Sequence, residues 1–375
     1  MELTNIRLGD YIERSTINNK ELKYGVDLIV GVNSQGVFAA PKGNTDGVDL
    51  KPYKIVENGV FVYNPTRLEL GSIAYRTEGL CIVSHLYMVF YLTDEGKKII
   101  DPMWLYIYFR RSEFCREVKF RNFGSQRPEF NFNDMSDIVI PLPDIEIQKK
   151  YVDIYNAMLE NQKSYEYGLE DLKLACDAYI EDLKHGIHCK AIGSYVERHD
   201  VRNRTNEIKN VMGVSTSKEF REPTSKVNRN ELSNYKIVRP RQISFVQTTH
   251  NEKVFAYAFN NTEDDIVVTS VNEVFSVDED KLLPEYLCMF FNRTEFDRYA
   301  RFHSWGSARE TFTWDDLVKV EIPIADMKTQ KSIADIYKAY KERKAINEKL
   351  KEQIKDICPI LIKGSIEEAR KAKEA

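Results

Sequence analysis

The stretch Ile140-Pro141-Leu142-Pro143-Asp144-Ile145-Glu146-Ile147-Gln148-Lys149 opens a long amphipathic run, and its skeleton returns later in the chain. Ile140-Pro141 with Gln148-Lys149 reappears as Ile322-Pro323 with Gln330-Lys331, and Asp153-Ile154-Tyr155 as Asp335-Ile336-Tyr337. Both offsets are 182 residues. Working outward, Gly124-Ser125-x-Arg127-x-x-Phe130 returns as Gly306-Ser307-x-Arg309-x-x-Phe312, and Tyr53-Lys54-Ile55-Val56 as Tyr235-Lys236-Ile237-Val238. Near the start, Leu8-Gly9-Asp10-Tyr11-Ile12-Glu13-Arg14 returns as Ile192-Gly193-Ser194-Tyr195-Val196-Glu197-Arg198. This opening pair stands at an offset of 184 and the other matches at 182; so many matches at a near-constant offset mark an internal duplication that spans nearly the whole chain.

Each repeat has two parts. The first mixes short β-rich runs, such as 59–63, 80–92 and 266–277, with turn residues, and it carries an amphipathic helical stretch at 102–119 or 284–301. The second is a long helix. In the first copy, Tyr151, Tyr155, Met158, Gln162, Tyr165, Leu169, Leu172, Cys176, Tyr179 and Leu183 step by four and three. The second copy gives Ile336, Tyr340, Arg343, Asn347, Leu350, Ile354, Ile357 and Leu361. Such stepping is a heptad seam, and Gln162, Arg343 and Asn347 are polar interruptions of the kind that fix register. Pro143 and Pro323 punctuate the approaches to the helices, and Pro359 should kink or end the distal one.

The expected architecture is α+β. Two pseudo-symmetric globular domains, residues 1–143 and 186–325, are separated by two long helices, 144–185 and 326–375. Residues 144–185 hold five basic and ten acidic side chains, whereas 326–375 hold thirteen basic and nine acidic. Opposite charge suggests that the helices pack together, and a pseudo-two-fold relation of the repeats requires them to run antiparallel. Packing of each helix on its own domain alone is the other possibility.

The 375 residues suit two domains, and 42% hydrophobic with 30% charged residues is ordinary for a globular protein. No apolar run is long enough for a membrane span, and residues 1–10 lack a signal core, so a cytoplasmic protein is expected. Six scattered cysteines with no Cys-x-x-Cys pair point to reduced thiols. His185, His188 and Cys189 could form a ligand trio, but a helix-end role before Gly186 fits their place better. There is no phosphate loop, zinc-protease helix or nucleophile elbow. Asn64-Pro65-Thr66 resembles a methyltransferase motif only in part and reads as a turn.

Binding remains. The net charge of −4 is unlike that of a typical nucleic-acid binder, yet basic residues cluster locally. Arg110, Arg111, Arg116, Lys119, Arg121 and Arg127 interleave with Phe109, Phe114, Phe120 and Phe123. Arg293, Arg298, Arg301 and Arg309 take the same places in the second repeat. A third cluster comprises Arg198, Arg202, Arg204, Lys209, Lys218, Arg221, Lys226 and Arg229, with Arg239 and Arg241 beyond. Any one of these can be an ordinary surface charge, and the aromatics read as the core face of an amphipathic helix rather than a base-stacking platform. The Gly-Ser-x-Arg elements fit a structural turn or a DNA contact equally well. The candidate DNA-binding set is Arg111, Lys119, Arg121, Ser125, Arg127, Arg204, Arg221, Arg298, Arg301, Ser307 and Arg309, with no catalytic or metal-binding residue.

The run from Ile140 to Lys149, the Gly124-Ser125-x-Arg127 element before it, and the opening Leu8-Gly9-Asp10-Tyr11 resemble, in order and twice over, the specificity subunits of type I restriction-modification systems. Asp144 stands where the family's second proline is usual, and Ile147 where Glu is usual. In the second copy Ile324-Ala325 and Thr329 depart likewise. The resemblance implies two target recognition domains, each reading half of a bipartite site in double-stranded DNA. The helices would form a coiled-coil-like spacer that docks two methyltransferase subunits, with restriction subunits joining. This chain would be non-catalytic and bind no cofactor; S-adenosylmethionine, and ATP with magnesium, would sit on the partners. A stand-alone sequence-specific DNA-binding regulator is the other reading open to the same residues.

Overall fold

The computed structural model describes residues 3–41, 43–122, 129–248, 254–305 and 310–374. The chain divides into two compact units, Met1–Ser164 with Asn347–Ala375, and Tyr165–Ile346.

The first unit is built on a four-stranded antiparallel sheet, ordered Ile12–Arg14, Met88–Leu92, Val60–Tyr63, Ile73–Tyr75. The second unit repeats it with Val196–His199, Asn272–Val277, Ile243–Val246 and Tyr257–Phe259. The runs at 80–92 and 266–277 each split at a turn: Cys81–Val83 pairs with Lys54–Val56, and Ile266–Val268 with Lys236–Val238. Each unit also closes on itself. Thr4–Arg7 pairs antiparallel with Val139–Leu142, and Cys189–Ala191 with Glu321–Pro323, so the Ile-Pro element is the strand that returns the chain to its start.

The helical stretches 102–119 and 284–301 are not continuous. Pro102–Phe109 and Ser112–Arg121 are separate helices, as are Pro284–Asn292 and Thr294–Phe302. Arg111 and Arg293 break them by adopting extended backbone, with ψ of 146° and 147°. Pro102–Phe109 starts from an Asp101 side chain that accepts from the Met103 and Trp104 amides, with proline at the first position, where its missing N–H costs nothing. It is not amphipathic: all six residues from Trp104 to Phe109 are buried. Its aromatics pack with Phe61, Tyr63 and Phe90 of the sheet and with Phe114 of the next helix. Each fully buried Phe contributes about 1.5–3 kcal/mol relative to an exposed one.

The helix Ile145–Gly186 is 42 residues long and Met327–Glu374 is 48. Pro359 lies inside the second, so it does not end the helix. Within the first unit the two run antiparallel. Lys150 Nζ meets the Glu368 carboxylate at 2.8 Å, while further along, Gln162 Nε2 donates to Asn347 Oδ1 at 2.9 Å. Val152, Tyr155, Ile354, Cys358, Leu361 and Ile362 extend the core of that domain onto both helices. In the second unit Cys176, Ile180, Ile333 and Tyr337 do the same. The helices therefore pack on each other and on the domains, where the sequence had left the two options apart. Tyr179 of the seam is 39% exposed, and Ile180 takes the buried place beside it.

Two glutamines fix the helix starts to the domains. Gln148 is fully buried; its Oε1 accepts from the Asp101 amide, and its Nε2 donates to the carbonyls of Ile99 and Pro143. Gln330 is also fully buried, accepting from the Leu283 amide and donating to Lys281 and Ala325. No helix is long and apolar enough to cross a membrane.

Candidate nucleic-acid interface

The short helix Ser112–Arg121 buries Phe114 and Val118 and turns its remaining faces outward. Its counterpart Thr294–Phe302 buries Phe296 and Ala300 at the same register. This leaves the basic residues at the surface of each domain. The structure then sorts the cations by what they already hold.

Several are occupied inside their own domain. Arg110 donates to the carbonyls of Gly71 and Ser34. Arg293, 6% exposed, donates from Nε to Asp177 at 2.9 Å and from its Nη2 to Glu181, tying the second domain to the helix Ile145–Gly186. Hydrogen bonds from Arg293 and Lys184 hold the Glu181 carboxyl below its usual range. Lys218 is buried against the Phe291 carbonyl and Asp297, and burial pushes its pKa down. Arg198 makes a two-pronged contact with buried Glu273, and Arg241 pairs with Glu279 and Glu285. Arg202 pairs with Asp200 and donates to the Asn234 carbonyl, and Lys209 donates to the carbonyl of Arg229. These cations, grouped by sequence with the binding clusters, brace the domains instead.

Others are held lightly. Arg111 lies 3.7 Å over the Tyr108 ring and donates to the Tyr108 carbonyl. Arg121 pairs with Glu117 at 2.8 Å, Arg116 with Glu113 at 3.4 Å, and Arg298 with Glu295 at 3.9 Å. Arg229 faces Glu222 at 3.8 Å. Such exposed pairs contribute about 0–1 kcal/mol and yield readily to a phosphate. Lys119, Arg204, Arg221, Lys226, Arg239 and Arg301 are exposed and make no side-chain hydrogen bond or ion pair among the described residues. Lys119 and Arg301 are equivalent under the 182-residue offset. Ser125, Arg127, Ser307 and Arg309 lie outside the described residues, as does Phe123.

The aromatics divide too. Phe109 and Phe114 are core, as expected, but Phe120 is 82% exposed and its equivalent Phe302 is 80% exposed. Their helical period alone could have separated them from Phe114: position 120 lies six residues on, about 120° round the helix from Phe114 and about 160° from Val118. Asn64-Pro65-Thr66 is a turn, with Asn64 Oδ1 accepting from the Thr66 amide and hydroxyl. It borders an open groove of about 650 Å³ in the first domain, lined also by Asn33, Asn44 and Arg67. Among the described residues, no His, Cys, Asp and Glu cluster is placed to hold a metal.

Residues 2–166 and 205–356 match the model of the type I restriction modification DNA specificity domain. No curated protein matches the chain. Among solved structures, a type I restriction-modification S subunit from M. genitalium is similar at a TM-score of 0.59 and 11% identity, over 98% of this chain and 96% of that one. An HsdS subunit from Thermoanaerobacter tengcongensis is similar at a TM-score of 0.40 and 15% identity, over 97% and 96% of the two chains. A chain from a study of complex assembly and conformational transition of the type I R-M system gives 0.47 and 14%, over 97% of each. The likeness to the M. genitalium subunit carries the fold, and the family match covers most of both repeats. The chain therefore belongs to the type I restriction modification DNA specificity domain family, and it carries that domain twice.

Proposed function

We propose that this chain chooses the DNA site for a type I restriction-modification complex. Each domain reads one half of a bipartite sequence in double-stranded DNA, and the long helices dock two methyltransferase subunits and set the unread gap. Restriction subunits join this assembly. S-adenosylmethionine, and ATP with magnesium, belong to the partners, and the chain itself performs no chemistry.

One observation carries this reading: a duplicated specificity domain offers an unpaired cation at the same place in each copy, Lys119 and Arg301. Phosphate contacts position a protein on DNA, and base contacts nearby specify sequence. Arg204 and Arg221 add free guanidinium groups to the second domain, and Arg111, Arg121 and Arg298 are within easy release. The helices leave apolar side chains outward for a protein partner, among them Ile154, Leu174 and Ile360 at 44%, 68% and 64% exposure.

The test is an exchange of residues 1–143 for the matching domain of a relative with another target. Sequencing of modified sites in cells carrying the chimera and its methyltransferase should show one half-site changed and the other kept. A change in both halves, or in neither, sinks the proposal. Tight selection of a complete site by the purified chain alone, with no partner bound, points instead to a stand-alone regulator.

A further inference from the structure

Two phenylalanines, Phe120 and Phe302, stand almost wholly outside the cores of their domains. On Ser112–Arg121, residues 116, 119 and 120 share one face, because spacings of three and four bring side chains together on a helix. On Thr294–Phe302 the same face carries 298, 301 and 302. Each face therefore presents two cations and one phenyl ring: Arg116, Lys119 and Phe120 in one repeat, Arg298, Arg301 and Phe302 in the other. The core is completed from the opposite side by Phe114 with Val118 and by Phe296 with Ala300. With 82% and 80% of their surface in water, Phe120 and Phe302 give their own domains almost no burial. The Phe302 ring is steadied instead by His303, edge-on at 5.1 Å, which in turn lies 4.2 Å from Tyr299. Trp305, three residues beyond Phe302 in sequence, is also 75% exposed.

We propose that Phe120 and Phe302 are base-contacting residues, one for each half of the DNA site. This rests on the site-choosing role proposed above and names side chains that act within it. A phenyl ring offers apolar contact to a thymine methyl or to the face of a base at an opened step. The flanking cations supply the phosphate contacts that hold it there. A protein partner is the competing occupant. DNA is favoured because the ring is bracketed in both repeats by cations, of which Lys119 and Arg301 make no ion pair among the described residues; Asp297, one turn before Arg301, is held by Lys218 instead.

The experiment uses the full chain with its methyltransferase subunits and a pool of random-sequence duplex DNA, from which bound sites are selected and sequenced. Phe120→Ala should weaken binding about ten-fold and flatten base preference in one half only, with Phe302→Ala acting on the other half. Phe120→Trp and Phe302→Trp should retain most of the affinity. Because both rings are exposed, the unfolding midpoints of all four variants should match the unaltered chain. If the unaltered chain selects a bipartite site and both alanine variants select it equally well, the base-contact proposal fails while the site-choosing role stands. If the unaltered chain selects no sequence, the role itself fails. Loss of the methyltransferase subunits from an alanine variant, with sequence preference intact, assigns the rings to a protein contact and overturns the proposal.

Discussion

Gln148 and Gln330 show how much one side chain can decide. Each is fully buried, and each satisfies three backbone groups where a domain meets its helix. Leucine would fill similar space but strand one amide and two carbonyls away from water. A buried unsatisfied group costs about 1–3 kcal/mol, so Gln148→Leu should lose about 3 kcal/mol after partial relaxation. Urea unfolding measures this, and a loss below about 0.5 kcal/mol, the size of a neutral surface change, would discard the bracing role. The doubled Gln-Lys pair was visible as sequence, but its burial was not, since no periodicity marks a polar residue that points inward. The same blindness mixed Arg110, Arg293 and Lys218 with the free cations. Whether an arginine meets an acid 112 residues away, as Arg293 meets Glu181, depends on tertiary placement that a local window does not contain.

At the scale of elements, the heptad seams were legible because a repeated apolar step has one physical cause, a buried stripe. Breaks were less so. The helix divisions at Arg111 and Arg293 come from extended backbone at ordinary helix-forming residues, and the helix containing Pro359 continues because tertiary packing outweighs a lost amide. The polar step in the seam is a matched pair, Gln162 with Asn347, 8% and 2% exposed. Asn347→Leu alone should cost about 1–3 kcal/mol by leaving the Gln162 amide short of its partner. Adding Gln162→Leu should recover at least half of that, since two apolar residues can replace a buried polar pair at little cost. A double-mutant cycle in urea decides the matter. A double variant no more stable than Asn347→Leu alone would show that the pair is not acting as a unit.

For the whole molecule, the net charge of −4 sets a limit on how it can meet DNA. A uniformly basic surface would bind through its overall field, and no single cation would matter much. Here attraction must come from few local contacts, so each should count in the salt dependence. Every phosphate neutralised on B-DNA contributes about 0.9 to the slope of log K against log salt. Lys119→Ala and Arg301→Ala, measured on the full chain with its methyltransferase subunits, should each flatten that slope by about 0.9, and the pair together by about 1.8. Base preference should hardly move, since phosphate contacts carry no sequence information. Lys363, on the distal helix with 76% of its side chain exposed, is the matched control and should leave the slope unchanged on alanine substitution. Equal slopes for all variants would mean that these helices do not touch the backbone of DNA. The partners would then supply the phosphate contacts, and the free cations at equivalent places would be a relic of the duplication.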